Sequence, residues 1–208
     1  MNAVDRQRYV DRYTRRVREH GYSRRALGWS NPDPDLRFDV LAEPILRSPG
    51  ASVLDVGCGF ADFYRYLRRT GWNGRYTGID IVPALLEIAR DLQTDIDLRE
   101  NDVCELDPND ATYDYVVASG IFNASLTGED NQRYIADTLS RMFALCERAV
   151  CADFLSTRHP SQTEGICYTD AAWALQTGFS LSRAVSLRHD YMASDFSLFV
   201  YREHNGVR

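Results

Sequence analysis

The 208-residue chain contains no lysine: all 24 basic residues are arginine. A lysine Schiff base and a lysine general base are therefore excluded. No apolar run approaches the roughly 20 residues that span a bilayer. The polar, arginine-rich N-terminus lacks the apolar core of a signal peptide, so none is expected. The five cysteines (58, 104, 146, 151 and 167) form no CxxC pair. The four histidines (20, 159, 189 and 204) show no ligand spacing with them, so no metal site is expected. Reduced, mostly buried thiols in a cytoplasmic protein are the reading that fits. Internal repeats and low-complexity segments are absent as well.

What is present describes a globular domain. Hydrophobic residues make up 44% of the chain and charged residues 26%. The net charge is −6, yet residues 1–30 hold eight arginines against Asp5, Asp11 and Glu19. The remainder is acidic, which disfavours nucleic acid as a partner. Oligomeric state is not legible.

The periodicity predicts a helix over residues 4–19, with Val10, Tyr13 and Val17 on its inner face and Gly21 as its stop. Asn31-Pro32-Asp33-Pro34 breaks the chain, and Asp35 is placed to cap a second helix, Leu36–Arg47. From Ser52 onward strands and helices alternate. Strands are predicted at Val53–Val56, Arg75–Ile79, Ile96–Glu100, Tyr113–Ser119 and Ala149–Phe154. Helices are predicted at Phe60–Thr70, Pro83–Leu92, Asp130–Cys146 and Thr169–Thr177. Two closing strands, Ser180–Leu187 and Phe196–Tyr201, flank a hairpin. Alternation implies a parallel sheet, and the adjacent final strands imply an antiparallel one. The fold class is thus α/β: a doubly wound, mainly parallel, seven-stranded sheet with its last strand antiparallel.

The most informative stretch is Ser52–Phe63, where a buried strand runs into Asp55, Gly57 and Gly59. Glycines at such a turn let a ligand approach bare backbone. A pyrophosphate on this loop would be repelled by Asp55, whereas a cationic amino-acid cofactor would not, which disfavours NAD-linked chemistry. Further landmarks end the next strands: Asp80, then Asp102, then Ser119-Gly120. Asp80 stands 21 residues after Gly59, the distance at which a strand-two carboxylate grips ribose hydroxyls.

At these residues, across roughly 50–155, the chain resembles the class I S-adenosylmethionine-dependent methyltransferases. The resemblance implies a Rossmann-like domain over residues 49–208, an N-terminal helical lid over 1–48, and S-adenosyl-L-methionine as cofactor, within one structural domain overall. It implies that Asp55 organises the glycine loop, that Gly57 and Gly59 admit the methionine moiety, and that Asp80 binds the ribose. Asp102 would meet the adenine amino group beside Val103, and Ser119 and Gly120 would flank the transferred methyl. Phe60 and Ile81, adjoining these motifs, are assigned to the cofactor too. Ala61 stands where many members have glycine. The segments Gly21–Trp29 and Ser119–Asn123 are similar to a narrower bacterial group of small methyltransferases.

Tyr22, Arg25 and Trp29 read as lid residues, with Arg25 pairing the cofactor carboxylate and the aromatics excluding water. For the acceptor side, the segments after the fifth and sixth strands bring His159, Tyr168, His189, Asp190 and Tyr191 into range, with Asn123 and Asp153 as polar contacts. The expected catalytic set is His189 oriented by Asp190, together with Tyr22. The expected activity is methyl transfer to an oxygen or nitrogen of a small polar metabolite, in bacterial biosynthesis. Two alternatives share the cofactor: aminocarboxypropyl transfer or internal cyclisation releasing methylthioadenosine, and a non-catalytic binding module.

Overall fold

The computed structural model describes residues 1–28, 35–128 and 130–202. Helix α1 (Ala3–His20) is capped by the Asn2 side chain, which accepts from Asp5 N, and ends at Gly21. A single turn, α2 (Arg24–Leu27), is capped by Ser23 and closed by Gly28 in the left-handed region. Helix α3 (Asp35–Leu46) follows; Asp35 is its first residue and also pairs with Arg69 at 2.6 Å.

The remainder alternates: β1 (Val53–Val56), α4 (Asp62–Arg69), β2 (Tyr76–Asp80), α5 (Pro83–Leu92), β3 (Asp97–Glu100), β4 (Tyr113–Ala118), α6 (Asn131–Leu145) and β5 (Cys146–Leu155). Then come α7 (Ala171–Leu181), β6 (Val185–Arg188) and β7 (Asp195–Tyr201). The seven strands form one sheet in the order β3-β2-β1-β4-β5-β7-β6. Neighbours from β3 to β5 are parallel, and β7 runs antiparallel to both β5 and β6.

Side chains alternate across this sheet as the strand period requires. Val53, Val117, Cys151 and Phe199 face a core closed by α3 and α4. Leu54, Val116, Val150 and Leu198 face the opposite core, closed by α6. Because both faces are covered, β1 and β4 read as short apolar runs rather than alternating strands. Order reverses between β1 and β4, and ligands of open α/β sheets bind outside the strand ends at that switch.

The widest departures from the sequence reading are at β5, which begins at Cys146 rather than Ala149, and at the junction of α7 and β6. Helix α7 continues through Leu181, and β6 begins at Val185 rather than Ser180. Gly178 lies inside the helix because its bare Cα packs on β6 and β7: a Cβ there would sit 3.0 Å from Val185 and 3.4 Å from Val200. Close packing outweighs the helix cost of glycine, about 1 kcal/mol. No helix among the described residues is long and apolar enough to cross a membrane.

Candidate active site

A cleft opens at the C-terminal ends of β1, β2 and β4, and its floor is the turn after β1. Gly57 (φ 70°) and Gly59 (φ 55°) are left-handed, and Ala61 (φ 58°) adopts the same region without being glycine. The turn is stitched to β2, since Gly57 N and Cys58 N both donate to Ile79 O, at 2.8 and 3.0 Å. A Cβ on Gly57 would lie 2.3 Å from Ile121 Cγ2, so two chain segments meet over bare backbone.

Of the four carboxylates among the described lining residues, Asp55, Asp80 and Asp102 lie at successive strand ends, each held differently. Asp55 is buried and accepts from Tyr76 Oη at 2.5 Å. Burial pushes its pKa up to about 7, against the hydrogen bond from Tyr76 and with the help of nearby Asp80 and Asp153. Asp80 accepts from Gly59 N and Val82 N, both at 2.9 Å, and so ties the glycine turn to the start of α5. Burial raises its pKa to about 6, and the backbone donors hold it down from going higher. Asp102 accepts from Cys104 N at 3.0 Å and opens a short 3-10 turn, Val103–Glu105.

The wall after β4 is fixed from behind. Asp153 on β5, 1% exposed, accepts from Ser119 Oγ at 2.6 Å and Gly120 N at 2.7 Å. Burial raises its pKa, and the nearby Arg37 guanidinium and these two donors oppose that rise. Arg37 of α3 pairs with Asp195 of β7 at 2.5 Å, so the helix before the sheet is bound to its last strand.

The N-terminal helices cover the cleft. Met1, Tyr9, Tyr13, Leu27 and Phe38 line it alongside Ile81, Asn101, Val103 and Tyr134. Gly57, Gly59, Asp55, Asp80, Asp102, Ser119 and Gly120 thus converge on one space, together with Asp62, Phe63 and Ile121.

The residues fit a nucleoside-bearing cation: the glycine turn leaves no room for a Cβ, and Asp55, Asp62, Asp80 and Asp102 line the cleft against a single amine among the described residues, that of Met1, 3.8 Å from Asp102. A sequence profile of the methyltransferase domain matches residues 53–144, the span of these motifs. Rv1506c of Mycobacterium tuberculosis, a protein named as a methyltransferase, is 31% identical over 158 residues, covering 72% of this chain and 92% of its own. The chain belongs to the class I S-adenosylmethionine-dependent methyltransferases. Solved members share the fold at low identity. The DhpI complex with S-adenosylhomocysteine superposes with a TM-score of 0.69 at 14% identity, covering 95% of this chain and 96% of its own. Magnesium protoporphyrin IX methyltransferase from Synechocystis, also with S-adenosylhomocysteine, gives 0.65 at 14% identity, covering 96% and 98%.

Several residues singled out in this methyltransferase from sequence stand elsewhere. Trp29 lies outside the described residues. Arg25 is exposed on α2, outside the cleft lining. Tyr22 is 44% exposed. Its hydroxyl donates to Asp62 at 2.6 Å and accepts from Arg65, and its ring meets Phe60 edge-on at 5.1 Å. Phe60 is buried under α2 with Ala26, Val82 and Leu85, so it supports the loop rather than lining the cleft.

The expected His189–Asp190 pair does not form. Arg188 grips Asp190 through two bonds, at 2.7 and 3.0 Å, while the His189 ring lies 5.7 Å from Phe196. Asp190 is exposed, and its carboxyl is held below the usual range by Arg188. A fork-shaped guanidinium two residues away outcompetes a histidine for a solvated carboxylate. Tyr191 bonds Ser197 at 2.8 Å. His159 packs on Tyr168 at 5.4 Å, and His159 Nδ1 accepts from Ser161 N, within their own loop. Asn123 accepts from Leu155 N at 3.1 Å, joining the loop after β4 to the end of β5. None of these six, nor Asp153, lines the cleft.

Sequence reasoning missed Tyr9, Phe38, Asp62 and Tyr134 as cleft residues. Tyr9 and Tyr13 stand four apart on α1, one helical face, and that spacing was a usable signal.

Proposed function

We propose that this methyltransferase transfers the methyl group of S-adenosylmethionine to an oxygen or nitrogen of a small molecule, in biosynthetic chemistry in the cytoplasm. The observation that carries the reading is the covered cleft. Helices α1 to α3 close over the same strand ends that bear the glycine turn, so an acceptor must enter a confined space rather than lie on an open face. A confined cleft suits a small molecule better than a polymer. Five free thiols and no disulfide among the described residues fit a reducing compartment.

In this reading Asp80 takes the ribose hydroxyls, and Asp102 with Val103 takes the adenine. Asp55, Gly57 and Gly59 face the methionine moiety. When bound, S-adenosylmethionine supplies an electrophilic methyl on a sulfonium centre. The chain's own work is positioning, which is what an in-line displacement needs most. Asp153 holds Ser119 and Gly120 as one wall. Leu27, Phe38, Phe63 and Ile121 supply apolar surface that excludes water. Among the described lining residues there is no histidine, lysine or arginine, so His189 is not carried forward as the base. The lining carboxylates and the Met1 amine beside Asp102 are the proton acceptors within reach, and an acceptor group already nucleophilic needs none.

Product analysis tests the reading. Incubation with S-adenosylmethionine and a panel of small phenols, alcohols and amines should yield S-adenosylhomocysteine and a methylated product. Methylthioadenosine as the main product would overturn it in favour of aminocarboxypropyl transfer or cyclisation.

A further inference from the structure

The cleft is one-sided in charge, and its four carboxylates are not equally committed. Among the described lining residues no arginine or histidine faces them, and the Met1 amine stands at one end, beside Asp102. Asp80 accepts through both of its oxygens, and Asp55 is buried against Tyr76. Asp102 has one oxygen on Cys104 N and the other toward Met1, and its side chain is 13% exposed. Asp62 is the most open of the four, at 28%. Its Oδ1 accepts from Tyr22 Oη at 2.6 Å and lies 3.6 Å from Arg65, which is outside the lining. Its Oδ2 accepts from no described residue.

The strand order sets where Asp62 lies. Asp80 and Asp102 follow β2 and β3, to one side of the glycine turn, and Ser119 follows β4, on the other. Helix α3 packs against α4 and β5, so its Phe38 belongs to the β4 side, where its ring is 5.2 Å from that of Phe63. Asp62 immediately precedes Phe63 and opens α4. With the nucleoside on Asp80 and Asp102 and the methionine moiety along the turn, the acceptor is left the β4 end. Phe38, Phe63 and Ile121 give that end apolar surface, and Asp62 gives it a carboxylate oxygen with no described donor. Such a mixture of apolar walls and one placed polar group is what orients a small ligand.

We propose that the acceptor is a small amine on an apolar body, held at the β4 end with its nitrogen on Asp62 and its body against Phe38 and Phe63, and that acceptors bearing a carboxylate or phosphate are refused. This acceptor class rests on the methyl-transfer reading and narrows it. A cleft lined by one sign of charge concentrates the opposite sign, so an ammonium is drawn in. An anion meets like charge there and finds no side-chain cation among the described lining residues to replace its water. Once bound, the ammonium loses one proton to water. The freed lone pair takes the methyl carbon, and the carbon–sulfur bond breaks with its electrons going to sulfur. A methylated ammonium and S-adenosylhomocysteine leave.

Ligand-observed NMR titrations of the full chain, saturated with S-adenosylhomocysteine, test this with four probes: 2-phenylethylamine, 2-phenylethanol, 3-phenylpropionate and ethanolamine. The phenylethylamine should bind at least about tenfold more tightly than the propionate, its anionic counterpart, and than ethanolamine, which lacks the apolar body. Asp62→Asn should erase most of the preference for the amine over the alcohol, while calorimetric affinity for S-adenosylhomocysteine stays within about twofold. Propionate binding as tightly as the amine, or no binding by any of the four, would overturn the proposal. So would an Asp62→Asn variant that loses S-adenosylhomocysteine and keeps the amine preference, because Asp62 would then serve the cofactor. The sulfur product tests methyl transfer itself. S-adenosylhomocysteine formed with phenols or alcohols but never with amines would sink only the acceptor class, whereas methylthioadenosine would sink the transfer.

Discussion

Asp153 reaches from β5 to Gly120, at the end of β4, and accepts its backbone N–H at 2.7 Å while also taking the Ser119 hydroxyl. The sequence suggested a substrate contact, but the carboxylate is spent inside the protein, behind the wall rather than in the cleft. Asp153→Ala should destabilise the fold by about 1–3 kcal/mol, the cost of stranding buried donors. It should lower turnover more than cofactor affinity. Asp153→Asn should recover most of both, since its amide can accept from Gly120 and donate to Ser119. Urea unfolding and calorimetric titration measure the two effects.

Gly57 and Ile121 make a matched pair. Gly57→Ala places a Cβ 2.3 Å from Ile121 Cγ2 at a φ of 70°, combining a clash with a strained backbone. Cofactor affinity should drop by about tenfold or more, with a stability loss of about 1–3 kcal/mol. Adding Ile121→Ala should restore part of the affinity by removing the clash, leaving the backbone strain. No recovery in the double variant would mean that strain alone carries the loss.

The carboxyls of Asp55 and Asp80 titrate near 7 and 6 because burial disfavours their charge. A cationic ligand favours the ionised forms. Affinity for S-adenosylmethionine should therefore rise as pH increases from about 5 to 8, with protons released on binding. The sign reverses for the free protein. A carboxyl whose folded pKa lies above its unfolded one contributes stability below pH of about 4 and loses it as pH rises through the folded value. Titrations in buffers of different ionisation enthalpy measure the proton release directly; no release near neutrality would contradict the assignment.

His189 and Asp190 stand outside the cleft lining, and Asp190 is engaged by Arg188. His189→Ala and Asp190→Asn should each leave turnover within about twofold of wild type, as surface changes away from a site do. A hundredfold loss in either would restore the histidine base.

The legible part of this protein was the local part. The succession of strands and helices, the glycine turn and the acids at successive strand ends follow from runs of a few residues, and the structure brings the turn and the acids to one cleft. What sequence could not show were contacts between distant segments. Asp153 meets Ser119 from 34 residues away, Asp5 meets Thr127 from 122, and Arg37 meets Asp195 from 158. Each is a polar side chain that reads as solvent-facing until its partner is known. His189 failed for the opposite reason: the sequence offered Asp190 as its neighbour, and a stronger competitor, Arg188, took it.

Calorimetric titration of S-adenosylhomocysteine into wild-type protein and Asp80→Ala is the most direct test of the central claim. Asp80 anchors the glycine turn through Gly59 and lines the cleft, where the proposed reading puts the ribose. Wild type should bind, and Asp80→Ala, with its fold intact by circular dichroism, should bind at least about thirtyfold more weakly, as expected when a charged hydrogen-bonding group is removed. Equal affinity in the two proteins would contradict the placement of the cofactor in this cleft.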